Sequence, residues 1–243
     1  MPALASAGLL AKGWRYLHRL MCGAVLLLRI APILAIILLL FNSVSFFTYP
    51  MPGMSRLWYE EFLTGRWLCA LHNSIFVAVL VTLLSTALGT SAALWLSRLK
   101  VSCRKAVMSV LISPMIIPAV INAVAVYFGH ADIELLNSYI ALVLAHTTLA
   151  TSLVVIAVTA TLMGLDHSLT RAATGLGAPP VTFEIILPPI IPGMTSGALF
   201  ACLASFDEVV VAPSVGSANQ RTLPTCGHVL RIVKNSVRPL LLP

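Results

Sequence analysis

Asp207 and Glu208 are adjacent carboxylates at the end of a long apolar run. Taking two carboxylates out of water is costly unless water, a cation or a partner compensates. The pair is therefore a candidate pathway for a positively charged solute, and the competing reading is a structural cap or an interhelical hydrogen bond at the outer end of the run. His146 also lies inside an apolar run, where buried polar groups find partners, and it reads as a hydrogen-bonded packing residue rather than a ligand. Cys22, Cys69, Cys103, Cys202 and Cys226 show no CxxC spacing and the histidines are scattered, so neither a metal site nor a redox pair is expected. A GxxxxGK[ST] phosphate loop, a nucleophile elbow and an HExxH pair are all missing from the sequence. No catalytic residue and no cofactor are expected, and energy for uphill movement of a solute would have to come from a partner or an ion gradient.

The second informative stretch is polar and interrupts two apolar runs over 164–192. Asp166 or Ser168 can cap a short helix with Leu169 to Leu176 as its body, Ala172 and Ala173 give it a small-sided face, and Gly177 stops it. Pro179 and Pro180 forbid continuation, and Pro188 and Pro189 fall where a new helix is expected to begin. This layout suits a loop that couples a membrane domain to a cytoplasmic partner; an ordinary connection between spans has the same elements.

The elements that must hold these residues follow from composition. With 59% hydrophobic and 9% charged residues in 243, and a mean hydropathy of +0.97, the chain is expected to be an integral membrane protein rather than a soluble globule. Continuous apolar runs argue for helices over a β-barrel, and about 20 residues cross a bilayer. The expected fold is an all-α polytopic transmembrane bundle with five spans, at roughly 24–47, 72–96, 106–128, 139–163 and 189–213. Arg29 can snorkel as an interfacial anchor. Pro114, Pro118 and Pro192 are expected to kink their spans, shaping a cavity or only the packing. Ser85, Gly89, Ser91, Ala92 and Ala93 would let another helix, of this chain or of a homologous permease, approach span two.

Lys12, Arg15 and Arg19 precede the first span and Arg98, Lys100, Arg104 and Lys105 follow the second, which puts both segments in the cytoplasm. The organisation expected is a cytoplasmic arm over 1–23, a membrane domain over 24–213 with a cytoplasmic loop at 164–188, and an extracytoplasmic tail over 214–243. Arg221, Arg231, Lys234 and Arg238 in that tail run against the charge rule. The net charge of +7 lies in flanking segments, so it reads as topology and lipid contact, not nucleic-acid binding.

The loop resembles the EAA loop of the permeases of binding-protein-dependent ABC importers, whose pattern is Glu-Ala-Ala, three residues, Gly, then about nine residues and Ile-x-Leu-Pro. Ala172, Ala173, Gly177, Ile185, Leu187 and Pro188 match it. Further segments are similar to the spermidine/putrescine permeases, specifically their second permease subunit: Trp58-Tyr59-Glu60-Glu61, Arg66-Trp67, Asn73-Ser74, Gly89-Thr90, Ser113-Pro114 with Pro118, Ser205 through Val211, and Arg221-Thr222-Leu223-Pro224. The resemblance implies a subunit of a bacterial inner-membrane importer, with its N-terminus cytoplasmic, working by alternating access. It implies as partners two ATPase subunits docked beneath the loop, a second homologous permease, an extracytoplasmic solute-binding protein, a small cationic solute and membrane lipid. An ion-gradient-driven carrier or channel, and a truncated non-transporting remnant, stay open beside it.

Two departures accompany the resemblance. Arg171 stands where the family has the motif glutamate, and only Ala178 to Glu184 separate Gly177 from Ile185. With Ser168 as N-cap, position 171 is N3, where Glu would complete a capping box; Arg opposes the helix dipole at a cost of about 0.3–1 kcal/mol. The family's sixth span is also expected to be missing, since Leu240 to Leu242 before Pro243 are too few to cross a membrane.

Overall fold

A backbone in hydrocarbon must satisfy its own polar groups, which makes helices of long apolar runs. The computed structural model describes residues 2–43, 53–98, 101–164 and 183–229, and these are helical almost throughout. In chain order they form α1 (Pro2–Leu39), α2 (Leu57–Phe62), α3 (Gly65–Arg98), α4 (Val101–Ile116), α5 (Ala119–Ala131), α6 (Tyr139–Met163), α7 (Phe183–Asp207) and α8 (Val211–Val215). A 3-10 turn at Ala218–Gln220 precedes α9, over 223–229. No strand occurs among the described residues. Four helical segments are long and apolar enough to cross a membrane: Lys12–Leu39, Gly65–Ser97, Tyr139–Met163 and Ile186–Asp207. Cys103–Ile116 and Ala119–Ala131 are apolar enough together but bent by 104° at the break between them, the form of a broken span or of a re-entrant loop.

The chain divides into Met1–Gly65 and Arg66–Pro243. In the first unit α1 is one helix, so the expected arm and the first span are continuous, and the helix stops at Leu39 rather than near residue 47. The polar pair Asn42-Ser43 accounts for the earlier stop. Asn42 is buried and bridges Met54, Ser43 N–H donates to Gly53 O at 3.2 Å, and Ser55 N–H donates to Phe41 O at 2.8 Å. Trp58 of α2 donates its indole N–H to Asn42 O at 3.0 Å, and Tyr59 meets Phe41 with ring centroids 5.5 Å apart.

In the second unit α6 is the axis. Leu142, Val154 and Val158 of α6 are fully buried, and they join Val77, Val81 and Ala93 of α3, Ala201 of α7 and Ala212 of α8 in one apolar core. Glycine sets the helix separations. A Cβ on Gly89 of α3 would lie 2.7 Å from Val154 Cβ, so the small face read in span two is filled, at this position, by α6 of the same chain. On α7, a Cβ on Gly193 would overlap Thr161 and one on Gly197 would lie 3.1 Å from Val154 Cα. Gly193 and Gly197 form a GxxxG pattern, the spacing that brings membrane helices into backbone contact.

Proline acts differently in two places. Pro118 lacks the N–H that would continue the helix from Pro114 O, and the chain breaks there into α4 and α5. In α7 the helix begins at Phe183, so Pro188 and Pro189 are inside it rather than at its start, and with Pro192 they leave it unbroken.

A polar clasp joins the chain's last described residues to α3 and α6. Asn73 Nδ2 donates to Asn219 O at 3.0 Å and to Arg221 O at 3.2 Å, while its Oδ1 accepts from Tyr139 Oη at 3.0 Å. Leu223 N–H donates to Ser74 Oγ at 2.7 Å, and Gln220 Nε2 donates to Asn137 O at 3.0 Å.

Candidate functional site

The break at Pro118 sends α5 off at a steep angle, and Ala119, Asn122 and Val126 on it face a small cavity. Asn122 stands four residues after Pro118, and its amide supplies what the proline removed: Nδ2 donates to Pro114 O and, at 3.4 Å, to Ile117 O. The bend is thus a satisfied structure, since freed carbonyls in a membrane helix need a replacement donor. Small residues then let α5 pack on α8, and Ala123 joins Val211 and Val215 of α8 and Ala141 and Ala145 of α6 in one buried cluster.

His146 and Thr148 of α6, Ser205 of α7 and Glu208 complete the polar lining of this cavity of about 20 Å³. A water molecule needs about 10–15 Å³ by such a measure. His146 is only 3% exposed, and its Nδ1 lies 3.1 Å from Ser205 Oγ, so it has the interhelical hydrogen bond expected of a buried polar group. Its other ring nitrogen, Nε2, is buried with no hydrogen-bond partner among the described residues.

The adjacent carboxylates part company. Asp207 ends α7 and is exposed. Glu208 turns back to line the cavity, and its Oε1 accepts the N–H groups of Val210 at 2.8 Å and Val211 at 2.9 Å, at the start of α8. Glu208 thus both lines the cavity and accepts the backbone N–H groups that lead into α8.

Ser205, His146 and Glu208 are the residue types of a hydrolytic triad, but their arrangement is a different one. A triad's acid bonds the imidazole nitrogen opposite the nucleophile. Here Glu208 engages backbone N–H groups, and no hydrogen bond joins it to His146 among the described residues. The three residues share a cavity wall without a triad's connectivity.

Of the loop residues picked out in the sequence, Ser168, Arg171, Ala172, Ala173 and Gly177 lie outside the described residues. Ile185 is in the first turn of α7, Leu187 is half-buried and Pro188 is exposed. Asn122 and Ser205 were not singled out for the site. The signal for Asn122 was available in the Pro114, Pro118, Asn122 spacing, which places a side-chain donor one turn beyond a missing N–H.

No family model matches the sequence. The chain is 32% identical over 223 residues to the putrescine transport system permease protein PotI of Escherichia coli strain K12, a match covering 86% of this chain and 77% of the relative. It is 28% identical over 211 residues to the spermidine/putrescine transport system permease protein PotC of the same strain, covering 86% and 79%. A chain in the crystal structure of a bacterial ABC transporter involved in importing the acidic polysaccharide alginate superposes with a TM-score of 0.68 at 15% identity, covering 92% of this chain and 81% of that one. That likeness extends the agreement to the fold.

Proposed function

From the premise that this chain belongs to the ABC-transporter permease family that includes the putrescine and spermidine/putrescine permeases, we propose that it is the transmembrane subunit of an ATP-driven importer of polyamines or a related small organic cation. The observation that carries this reading is the polar cavity with Glu208 in its wall, in a chain similar to a putrescine permease over 86% of its length. A carboxylate held among membrane helices is stabilised by a cationic solute passing it. Solute would arrive on an extracytoplasmic binding protein, a second permease would complete the pathway, and two ATPase subunits would dock on the segment from Ser168 to Gly177. The membrane is the bacterial inner membrane, with the N-terminus in the cytoplasm. The chain itself hydrolyses nothing; its part is alternating access.

The test is ATP hydrolysis by the complex of this chain with its neighbouring permease and ATPase in proteoliposomes, as binding protein is added with putrescine, spermidine or non-cationic solutes. Stimulation by an amine supports the proposal. A flat response from an assembled complex, or uptake by this chain alone driven by an ion gradient, would overturn it.

The coupling segment gives a narrower expectation. Arg171→Glu restores a capping-box residue and a favourable dipole contact of about 0.3–1 kcal/mol, and it should raise stimulated hydrolysis several-fold. No gain in a properly assembled complex would remove Arg171 as a cause of weak coupling.

A further inference from the structure

The bend between α4 and α5 fixes a depth as well as a direction. α4 has 16 residues, a length of about 24 Å, and Arg104 and Lys105 take up its first turns, so its apolar part falls far short of the roughly 30 Å of hydrocarbon that a span must cross. A bend of 104° adds no height along α4, so α5 runs across it. Contacts with α6 set the level. Ser152 Oγ donates to Leu111 O of α4 at 2.7 Å, about 20 Å along α6 from Tyr139. Asn122 and Val126 share a cavity wall with His146, about 10 Å along, and Ala123 shares a buried cluster with Ala141 and Ala145, about 3–9 Å along. α6 itself has 25 residues and, at about 37 Å, only slightly exceeds the hydrocarbon layer. α5 therefore lies inside that layer, in the leaflet that holds the first turns of α6.

The residues of α5 separate by face as that depth demands. Contacts between membrane helices are made by small and polar residues, because lipid tails serve large apolar side chains as well as another helix does. Ala119, Asn122, Ala123 and Val126 turn toward α8, α6 and the cavity. The opposite side carries Val120, Ile121, Val124, Tyr127 and Phe128, all exposed, and its one polar group is the Tyr127 hydroxyl. Met115 and Ile116, just before the break, are exposed as well and continue this apolar side onto α4. The backbone of the bend is fitted for the absence of water. Val110 O, which loses its donor at Pro114, accepts from Ser113 Oγ at 2.8 Å, Pro114 O accepts from Asn122, and Ser152 reaches Leu111 O between them. Carbonyls freed in hydrocarbon need such replacements.

We infer that α5 is a transverse helix set into one leaflet, with the face from Val120 to Phe128 covered by lipid acyl chains. Tyr127 and Phe128, whose rings meet edge to face with centroids 5.6 Å apart, stand in the last turns of α5. The chain returns from there to the start of α6, and aromatic rings favour the headgroup boundary. The bend is thus seated between α8 on one side and fluid lipid on the other. The inference goes beyond the importer reading and does not depend on which solute is carried.

The test places a nitroxide label on one cysteine at a time, in Val120→Cys, Ile121→Cys, Val124→Cys and Phe128→Cys. The background chain has serine in place of Cys22, Cys69, Cys103 and Cys202 and keeps the buried Cys226. The complex with the neighbouring permease and ATPase is reconstituted in vesicles of phosphatidylethanolamine and phosphatidylglycerol. Electron paramagnetic resonance then counts collisions with oxygen, which concentrates in lipid, and with a water-soluble nickel chelate. Oxygen collisions should exceed nickel collisions several-fold at all four positions. The change in immersion depth from Val120 to Phe128 should stay well below the roughly 12 Å that eight residues of an upright helix would give. Dominant nickel collisions would mean a water-facing surface, and low collisions with both probes a protein cover such as the second permease; either result, or a full 12 Å change of depth, would overturn the inference. Should the background chain fail to assemble, a photoreactive benzoylphenylalanine at Val124 in the native-cysteine chain decides. Its adduct should be radiolabelled phospholipid, and an adduct with the second permease, or none with lipid, counts against the transverse helix. Neither readout involves solute, so either can fail while the importer reading stands.

Discussion

The α4–α5 pair and α7 hold similar proline signals and answer them in opposite ways. Pro114 and Pro118 accompany a 104° break, whereas Pro188, Pro189 and Pro192 sit in a helix that runs on to Asp207. Proline removes a donor in both cases, so the surroundings decide. Along α7, Gly193 and Gly197 bring the backbone onto Thr161 and Val154 of α6, and that close seam holds the helix in line. At Pro118 the carbonyls left behind are met by Asn122, and small Ala123 lets α5 settle against α8. One element is kept straight by packing; the other is bent and mended by a side chain.

The seam should fail hardest. Gly197→Leu forces a side chain into contact with Val154 Cα, and overpacking of this kind costs about 1–3 kcal/mol or more. The expected result is loss of a monodisperse, thermally cooperative complex in detergent. A thermal midpoint matching wild type would mean that α7 is straight for some reason other than its contact with α6.

Asn122→Leu comes next, because it strips the donor from the part-buried Pro114 O and from Ile117 O; an acceptor left unsatisfied away from water costs about 1–3 kcal/mol. Pro118→Ala in the same chain returns a backbone N–H to Pro114 O, so the double variant should recover part of that loss. Simple additivity in the double-mutant cycle would break the link drawn between Asn122 and the bend. The smallest effect belongs to Pro192→Ala, at an exposed position of a helix already held in line, with a change within about 0.5 kcal/mol. A shift as large as that of Asn122→Leu would erase the distinction between the two regions.

Much of the architecture was legible in the residues. Hydropathy and run length led to an all-α membrane bundle, and the span from Tyr139 to Met163 agrees with its expected limits because Ser138 caps its start, accepting from Ala141 N at 3.0 Å. Averaged hydropathy carried the first span past Leu39, since the tertiary contacts that bury Asn42 are invisible to a window. The site was half legible. Asp207 and Glu208 look equivalent as letters, and only the end of α7 at Asp207 separates an exposed carboxylate from one that turns back to cap α8. His146 announced itself as a buried polar residue, but its meeting with Ser205 spans 59 positions of sequence, a distance no local pattern reports.

The clasp at Asn73 has a consequence in time. Its amide bonds Asn219 and Arg221, which lie 146 and 148 positions later. Chains are synthesised at about 5–20 residues per second, so roughly 7–30 s separate the emergence of Asn73 from that of its partners. Throughout that interval α3 carries an amide whose final acceptors do not yet exist. One end of this helix must therefore stay sheltered or hydrated until residues 219 to 221 arrive, and the clasp closes long after α3 itself has been made.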